Sequence, residues 1–161
     1  MPLYKKFYHQ TPIGWVAITS SEDGLHELKF IHPPKQNEQK KTALVKEVIE
    51  TLDRYFINSN RFFNLPLHFT GTPFQKIIWK LVASIPFGET RTYSEIASLY
   101  GNPQSVRAVG AAIGSNPILI LVPCHRVLGR MGALTGYAGG LERKKWLLEH
   151  EGYPIQKALN L

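Results

Sequence analysis

The chain has a single cysteine in 161 residues, which excludes an intramolecular disulfide framework and points to a reducing compartment, with the cytoplasm as the expected location. It has no apolar stretch near the roughly 20 residues that cross a bilayer. The opening Met1-Pro2-Leu3-Tyr4-Lys5-Lys6 lacks the apolar centre of a signal peptide. A soluble protein with no membrane association is expected. The histidines His9, His26, His32, His68, His125 and His150 show no paired ligand spacing, and a lone thiol cannot build a thiolate-rich zinc site, so no metal is expected. Acidic residues are also scarce: 12 Asp and Glu against 19 Lys and Arg give a formal charge of +7. The imbalance is uneven, with 9 basic against 7 acidic residues over 1–69 and 10 against 5 over 70–161. A polyanionic partner would therefore meet the second half. Internal repeats and low-complexity tracts are absent.

What the chain does have is a run of aliphatic residues, Ile118-Leu119-Ile120-Leu121-Val122, that delivers Pro123 and then the one thiol, Cys124, followed by His125 and Arg126. A short apolar run of this kind reads as a buried strand, and proline fixes the backbone just before the thiol. His125 and Arg126 lie close enough in sequence to lower the thiol pKa and favour a thiolate nucleophile, with a carboxylate such as Glu151 available to orient the imidazole. The same residues also fit a structural buried cysteine.

The elements around this stretch follow from pattern. Residues 3–10 and 15–19 form a hairpin across Thr11-Pro12-Ile13-Gly14, and Leu25 to Phe30 a third strand after the turn at Ser20 to Gly24. His32 to Asn37 breaks the pattern. Thr42 to Ile57 carries Leu44, Val45, Val48, Ile49, Leu52, Tyr55 and Phe56 at helical spacing, ending at Asn58-Ser59-Asn60. Phe62 to Phe69 returns as a further strand before a boundary at Thr70-Gly71. Thr72-Pro73-Phe74-Gln75 and Thr92-Tyr93-Ser94-Glu95 are capping boxes. The first opens a helix to about Ser84, and the second a short helix ending near Tyr100 with Gly101 behind it. Asn102-Pro103 starts another helix to about Gly114, poor in large side chains at Ala108, Gly110, Ala111 and Ala112. Two helices across a tight turn form a candidate helix-turn-helix. Gly129, Gly132, Gly136, Gly139 and Gly140 make a glycine-rich loop, and Leu141 to His150 a last helix stopped at Gly152. The fold class expected is α+β: an N-terminal α/β domain over 1–69 and a mainly helical C-terminal domain over 70–161.

Arg107-Ala108-Val109-Gly110, Asn116-Pro117, Pro123-Cys124-His125-Arg126-Val127, Gly136-Tyr137-Ala138-Gly139-Gly140 and Trp146 to Gly152, in this order and spacing, closely resemble the O6-alkylguanine-DNA alkyltransferases, also called methylated-DNA–protein-cysteine methyltransferases. The likeness runs from Gly71 to Gly152. Residues 1–69 are similar only in length and pattern.

The resemblance implies a ribonuclease H-like N-terminal domain and a winged-helix-like C-terminal one. It implies direct-reversal repair, in which O6-alkylguanine is flipped out of double-stranded DNA and its alkyl group passes irreversibly to Cys124, with no cofactor. His125 would act through water as the base and Glu151 would hold it. Tyr93 would serve the guanine N3, Arg107 would fill the gap left by the flipped nucleotide, and Asn116 would link the recognition helix to the thiol. The carbonyls of Cys124 and Val127 would accept the guanine amino group and the Ala138 amide would reach the alkylated oxygen, with Tyr137 and Gly139 completing the pocket. Small residues at Ala108, Gly110 and Ala111 would let the helix enter the minor groove. Lys76, Lys80, Arg91, Arg126 and Arg130 are the phosphate-contact candidates, although Arg126 also fits a structural role tying loop carbonyls together. Some relatives hold zinc in the N-terminal domain through cysteines that this chain lacks. A monomer is expected; cooperative assembly on DNA, larger alkyl groups and O4-alkylthymine stay open. Two other readings are a lesion-sensing alkyltransferase-like protein that transfers nothing, and a cysteine hydrolase.

Overall fold

The structure, a computed structural model, describes residues 3–35, 40–58 and 63–155. Met1-Pro2, Gln36-Asn37, Ser59-Asn60 and Phe62, which carry parts of the expectations above, lie outside the described residues. The chain divides into two compact units, Met1–Thr70 and Gly71–Leu161. Among the described residues no helix is long and apolar enough to cross a membrane.

In the first unit β1 (Lys5–Thr11), β2 (Gly14–Ser21) and β3 (Gly24–Ile31) form an antiparallel sheet in the order β1-β2-β3. The hairpin and third strand expected from sequence are both present. The Thr11 hydroxyl sets the first turn by donating to the Gly14 carbonyl at 2.6 Å and accepting from the Ile13 amide at 3.2 Å. Phe7, Val16, Ile18, Leu25 and Leu28 are buried, as are Val45, Val48 and Leu52 of α1 (Ala43–Asn58). The Thr42 hydroxyl opens that helix by accepting from the Val45 amide at 3.2 Å.

The strand expected over 62–69 reduces to one parallel bridge between Leu25 and Leu67, with the Leu25 amide donating to Pro66 and the His68 amide to Leu25. Pro66 has no amide to extend the ladder. Gly24 is required at this crossing, since its φ is +134° and a Cβ there would sit 2.5 Å from the Pro66 carbonyl oxygen.

In the second unit α2 (Pro73–Ala83) and α3 (Tyr93–Tyr100) each begin with both halves of a capping box in place, at Thr72/Gln75 and Thr92/Glu95. Gly101 ends α3 in the left-handed conformation at φ +99°. Asn102 then caps a single 3₁₀ turn, Pro103–Ser105, which leads into α4 (Val106–Gly114). The helix expected from Pro103 onward is thus a tight turn followed by a helix. Ile78, Trp79, Val82, Ile96, Ala97, Val109, Ala112 and Ile113 are the buried residues of α2, α3 and α4, and the Trp79 indole donates to the Ala112 carbonyl at 2.8 Å.

Two short strands hold the remaining parts together. β4 (Arg91–Thr92) pairs in parallel with β5 (Val127–Leu128), matching Arg91 to Val127 and Thr92 to Leu128. This fixes Tyr93, the first residue of α3, beside the segment that follows Cys124. The last helix, α5 (Leu141–His150), packs Leu148 with Leu128 and Ile155.

The apolar strand expected before Cys124 is not a strand. After a single bridge residue at Ile118, residues 119–121 form a buried turn, with the Leu121 amide donating to Leu119 and the Val122 amide to Ile118. Ile120 adopts φ +68°, which is rare for a β-branched residue. The cause is Asn116, whose Oδ1 accepts from the Ile118 amide and whose Nδ2 donates to the Val122 carbonyl, each at 2.9 Å. One side chain thereby closes the strap on itself.

Candidate active site

Cys124 opens a 3₁₀ turn, Cys124–Arg126, in which all three side chains are buried. The turn sends successive side chains to different neighbours. Cys124 Sγ accepts a hydrogen bond from Asn116 Nδ2 at 3.1 Å. His125 and Arg126 instead reach Glu151, at the C-terminal end of α5.

Glu151 is the electrostatic anchor. Its Oε2 accepts from His125 Nε2 at 2.6 Å and Arg126 Nη2 at 3.2 Å, and its Oε1 from Arg126 Nε at 2.6 Å and the Gly88 amide at 3.3 Å. Burial by itself would raise this carboxyl, but the hydrogen bonds and charges of His125 and Arg126 outweigh it and hold the group well below the usual carboxylate range. An ionised carboxylate only accepts, so His125 carries its proton on Nε2. His125 Nδ1 is then left as a buried lone pair with no hydrogen-bond partner among the described residues. Burial also lowers the pKa of this imidazole despite the carboxylate beside it. Neutral His125 with a free Nδ1 is a base.

The thiol is not activated as the sequence had suggested. Burial pushes Cys124 up to about 11, opposed by the Asn116 hydrogen bond and the charge of Lys144. His125 and Arg126 do not lower it because both are committed to Glu151. The cation that acts on the thiol is Lys144, which sequence reasoning missed. It is fully buried, and its Nζ donates to the carbonyls of Val127 and Thr135 at 2.7 Å each and to Gly136 at 3.4 Å. Burial lowers its pKa to about 8. A signal existed: Lys144 shares one helix face with Leu147, Leu148 and Glu151 at i, i+3, i+4 and i+7, and all four are buried.

A cavity of ≈ 300 Å³ borders the thiol and is lined by Tyr93, Gly110, Ile113, Gly114, Cys124, Gly136, Tyr137 and Ala138. Five of the residues singled out in the sequence meet there, namely Tyr93, Gly110, Cys124, Tyr137 and Ala138. Ile113, Gly114 and Gly136 join them from the same two stretches. The Tyr137 hydroxyl is buried without a partner among the described residues, and its ring lies edge-on to His125 with centroids 6.3 Å apart. The Tyr93 hydroxyl accepts from Thr135 Oγ1 at 3.5 Å. Val127 and Gly139 do not line the cavity: the Val127 carbonyl accepts from Lys144 and the Gly139 carbonyl from Arg143 at 3.0 Å. A larger cavity of ≈ 590 Å³ in the first unit, bordered by Lys5, Ser21 and Leu44 among others, contains no thiol.

On α4, Arg107, Ala108 and Ala111 are exposed. Among the phosphate-contact candidates Lys76, Lys80 and Arg130 are exposed and Arg91 half-buried. Arg126 is removed from that group. It is buried, forks onto Glu151 and donates from Nη1 to the Ile85 carbonyl at 2.6 Å, which is the structural role its position also allowed.

A thiol on the cavity wall, followed on the same 3₁₀ turn by a histidine held by a buried carboxylate, is an arrangement suited to cysteine chemistry, here on a helical unit with a helix-turn-helix. The description "6-O-methylguanine DNA methyltransferase, ribonuclease-like domain" matches residues 3–69 and "6-O-methylguanine DNA methyltransferase, DNA binding domain" residues 73–153. The chain is 43% identical over 148 residues to the methylated-DNA–protein-cysteine methyltransferase of Methanosarcina acetivorans, covering 89% of this chain and 95% of that one. It is 40% identical over 153 residues to the protein of the same name from Haemophilus influenzae, covering 91% and 86%. Among solved structures, Mycobacterium tuberculosis OGT in complex with DNA superposes with a TM-score of 0.82 at 37% identity, covering 97% of this chain and 98% of that one. The chain belongs to the 6-O-methylguanine DNA methyltransferase family.

Proposed function

We propose that this protein repairs DNA by direct reversal, moving the alkyl group of O6-alkylguanine in duplex DNA onto Cys124 in a single turnover. The observation that carries the reading is the junction of Cys124, its Asn116 hydrogen bond and the 300 Å³ cavity, within a chain matched along both units by one family.

The cavity accepts an extruded base, with Tyr137 as a wall and the Ala138 amide directed to the alkylated oxygen. At rest the buried thiol is protonated, so proton removal accompanies transfer. The Sγ proton passes through a water to His125 Nδ1, and the imidazolium formed is stabilised by Glu151. Sγ attacks the alkyl carbon, an S–C bond forms, the C–O6 bond breaks, and its electron pair leaves on the purine. Tyr93 hydrogen-bonds the guanine N3 and helps the purine leave as a neutral base. The thioether has no route back to thiol, so the protein is consumed.

Exposed Arg107 enters the space vacated by the flipped nucleotide, and the small α4 face of Ala108, Gly110 and Ala111 lies in the minor groove. The Cys124 and Val127 carbonyls keep a second lone pair each for the guanine amino group, and Gly139 holds the cavity loop through Arg143. The N-terminal unit, residues 1–69, is structural; residues 70–161 bind DNA and accept the alkyl group. The protein works as a cytoplasmic monomer. A sensor that transfers nothing has no use for the Asn116–Cys124 contact or for a base at His125.

Repair is followed by counting guanine restored in a duplex that carries O6-methylguanine, with the lesion in excess. The yield should plateau at about one guanine per protein molecule. Continued turnover, or tight lesion binding with no restored guanine, would contradict the reading.

A further inference from the structure

The loop between the Cys124 turn and the cavity wall carries a feature that neither the transfer chemistry nor the core requires. Met131 sits at its tip at φ +58° and ψ 27°, a left-handed conformation in a non-glycine residue that is 68% exposed. Left-handed backbone is uncommon for such residues, and an apolar side chain held that way in water gains nothing from burial. Its neighbour Arg130 is exposed as well, and no hydrogen bond or ion pair engages its side chain among the described residues.

The tip is held firmly relative to the cavity. The Gly129 amide donates to the Ala133 carbonyl at 2.8 Å, closing the loop at its base. Leu134 packs on the core of Leu128, Leu148 and Ile155. Thr135 is tied twice, to the Tyr93 hydroxyl through its side chain and to Lys144 through its carbonyl. The cavity mouth therefore has two flanks. One is α4, through Gly110 and Gly114. The other is the glycine-rich loop at Gly136 to Ala138, which follows directly in the chain from the closed loop that carries Met131.

We infer that Met131 is a second contact with the duplex, packing against the deoxyribose and base edge of a nucleotide beside the extruded one while Arg130 meets the adjoining phosphate. A flexible thioether suits an irregular, partly unstacked surface, and apolar side chains including methionine serve as wedges at base steps in minor-groove proteins. Arg107 and Met131 would then grip the DNA from opposite flanks of the cavity. This inference rests on the reading that an alkylguanine enters the cavity from duplex DNA.

The test compares Met131→Ser, Met131→Leu and Met131→Gly with the unaltered protein on two alkyl donors: a duplex with one O6-methylguanine, and free O6-methylguanine base, which has no neighbouring nucleotide. Serine and glycine should slow transfer from the duplex roughly three- to tenfold and change transfer from the free base less than about twofold, the size of one lost apolar contact. Leucine should restore most of the duplex rate. Glycine should also keep or raise the melting temperature, because it relieves the left-handed strain. Unchanged duplex rates in the serine variant, or equal losses on both donors, would overturn the inference. Failure of the unaltered protein to react with either donor would overturn the functional reading and this inference with it.

Discussion

His125 and Glu151 are joined by a buried 2.6 Å hydrogen bond from Nε2 to Oε2, and that bond fixes which imidazole nitrogen is left free. Because the carboxylate can only accept, the proton resides on Nε2 and Nδ1 keeps a lone pair with no hydrogen-bond partner among the described residues. Replacing Glu151 by Gln removes the reason for that tautomer and leaves Arg126 without its counter-charge. Transfer should slow about a hundredfold, the scale of a lost general base. Stability should fall by about 3 kcal/mol, as for breaking a buried ion pair. Transfer kinetics and denaturant unfolding measure the two effects separately; a stable variant with an unaltered rate would show that the pair is decorative.

The direction of the His125 shift sets a pH profile. Its folded pKa lies below the ordinary 6.5 because of burial, so the native state binds fewer protons than the unfolded chain between those values. The resulting stability is present above about pH 6.5 and is lost as pH falls through the folded value. The neutral base persists over the same range, so the transfer rate should hold from about pH 7.4, where Lys144 is still mostly charged, to 6.5 and fall only below that. A rate already halved at pH 7 would contradict the shift.

Lys144→Met keeps the bulk of the side chain and removes its charge and its three carbonyl contacts. Leaving buried acceptors unsatisfied costs about 1–3 kcal/mol. The loop over residues 134–138 should exchange its amide hydrogens faster, and transfer should slow roughly tenfold as the thiol loses a cation that favours its ionised form. Exchange and transfer unchanged from the unaltered protein would show that Lys144 is only packed, not functional.

Arg107 is exposed, so Arg107→Ala should alter stability by less than about 0.5 kcal/mol. Transfer from duplex DNA should nonetheless drop about tenfold, if the guanidinium offsets about 1.4 kcal/mol of the cost of unpairing the lesion. Making the base opposite the lesion abasic lowers that cost and should recover part of the rate. An unchanged duplex rate would remove Arg107 from the DNA contact.

Much of this architecture is legible in the sequence where the cause is local. The capping boxes at Thr72 and Thr92 and the glycine stop at Gly101 name their helices because the bonds involved span four residues or fewer. The β1–β2 hairpin follows likewise from the turn at Thr11 to Gly14. The failures are long-range. A run of aliphatic residues at 118–122 cannot distinguish a strand from a strap wound around Asn116, since both bury every side chain. His125 and Arg126 seemed neighbours of the thiol because sequence adjacency hides the 3₁₀ turn that sends them to Glu151, 25 or more residues away. Lys144 was passed over because lysine is rarely fully buried, although its register with Leu147 and Leu148 marked it. Gly129 and Gly132 mark the loop around Met131, but not the left-handed conformation of the methionine, which is fixed by the closure of that loop.

The central claim is that Cys124 is an alkyl acceptor consumed by its reaction. Mass spectrometry of the peptide containing Cys124, after reaction with duplex DNA bearing O6-methylguanine, tests it most directly. The account requires that peptide to gain the mass of one methylene in step with the guanine restored, and Cys124→Ala to restore none. Guanine restored with an unmodified Cys124 peptide, or by the alanine variant, would contradict it.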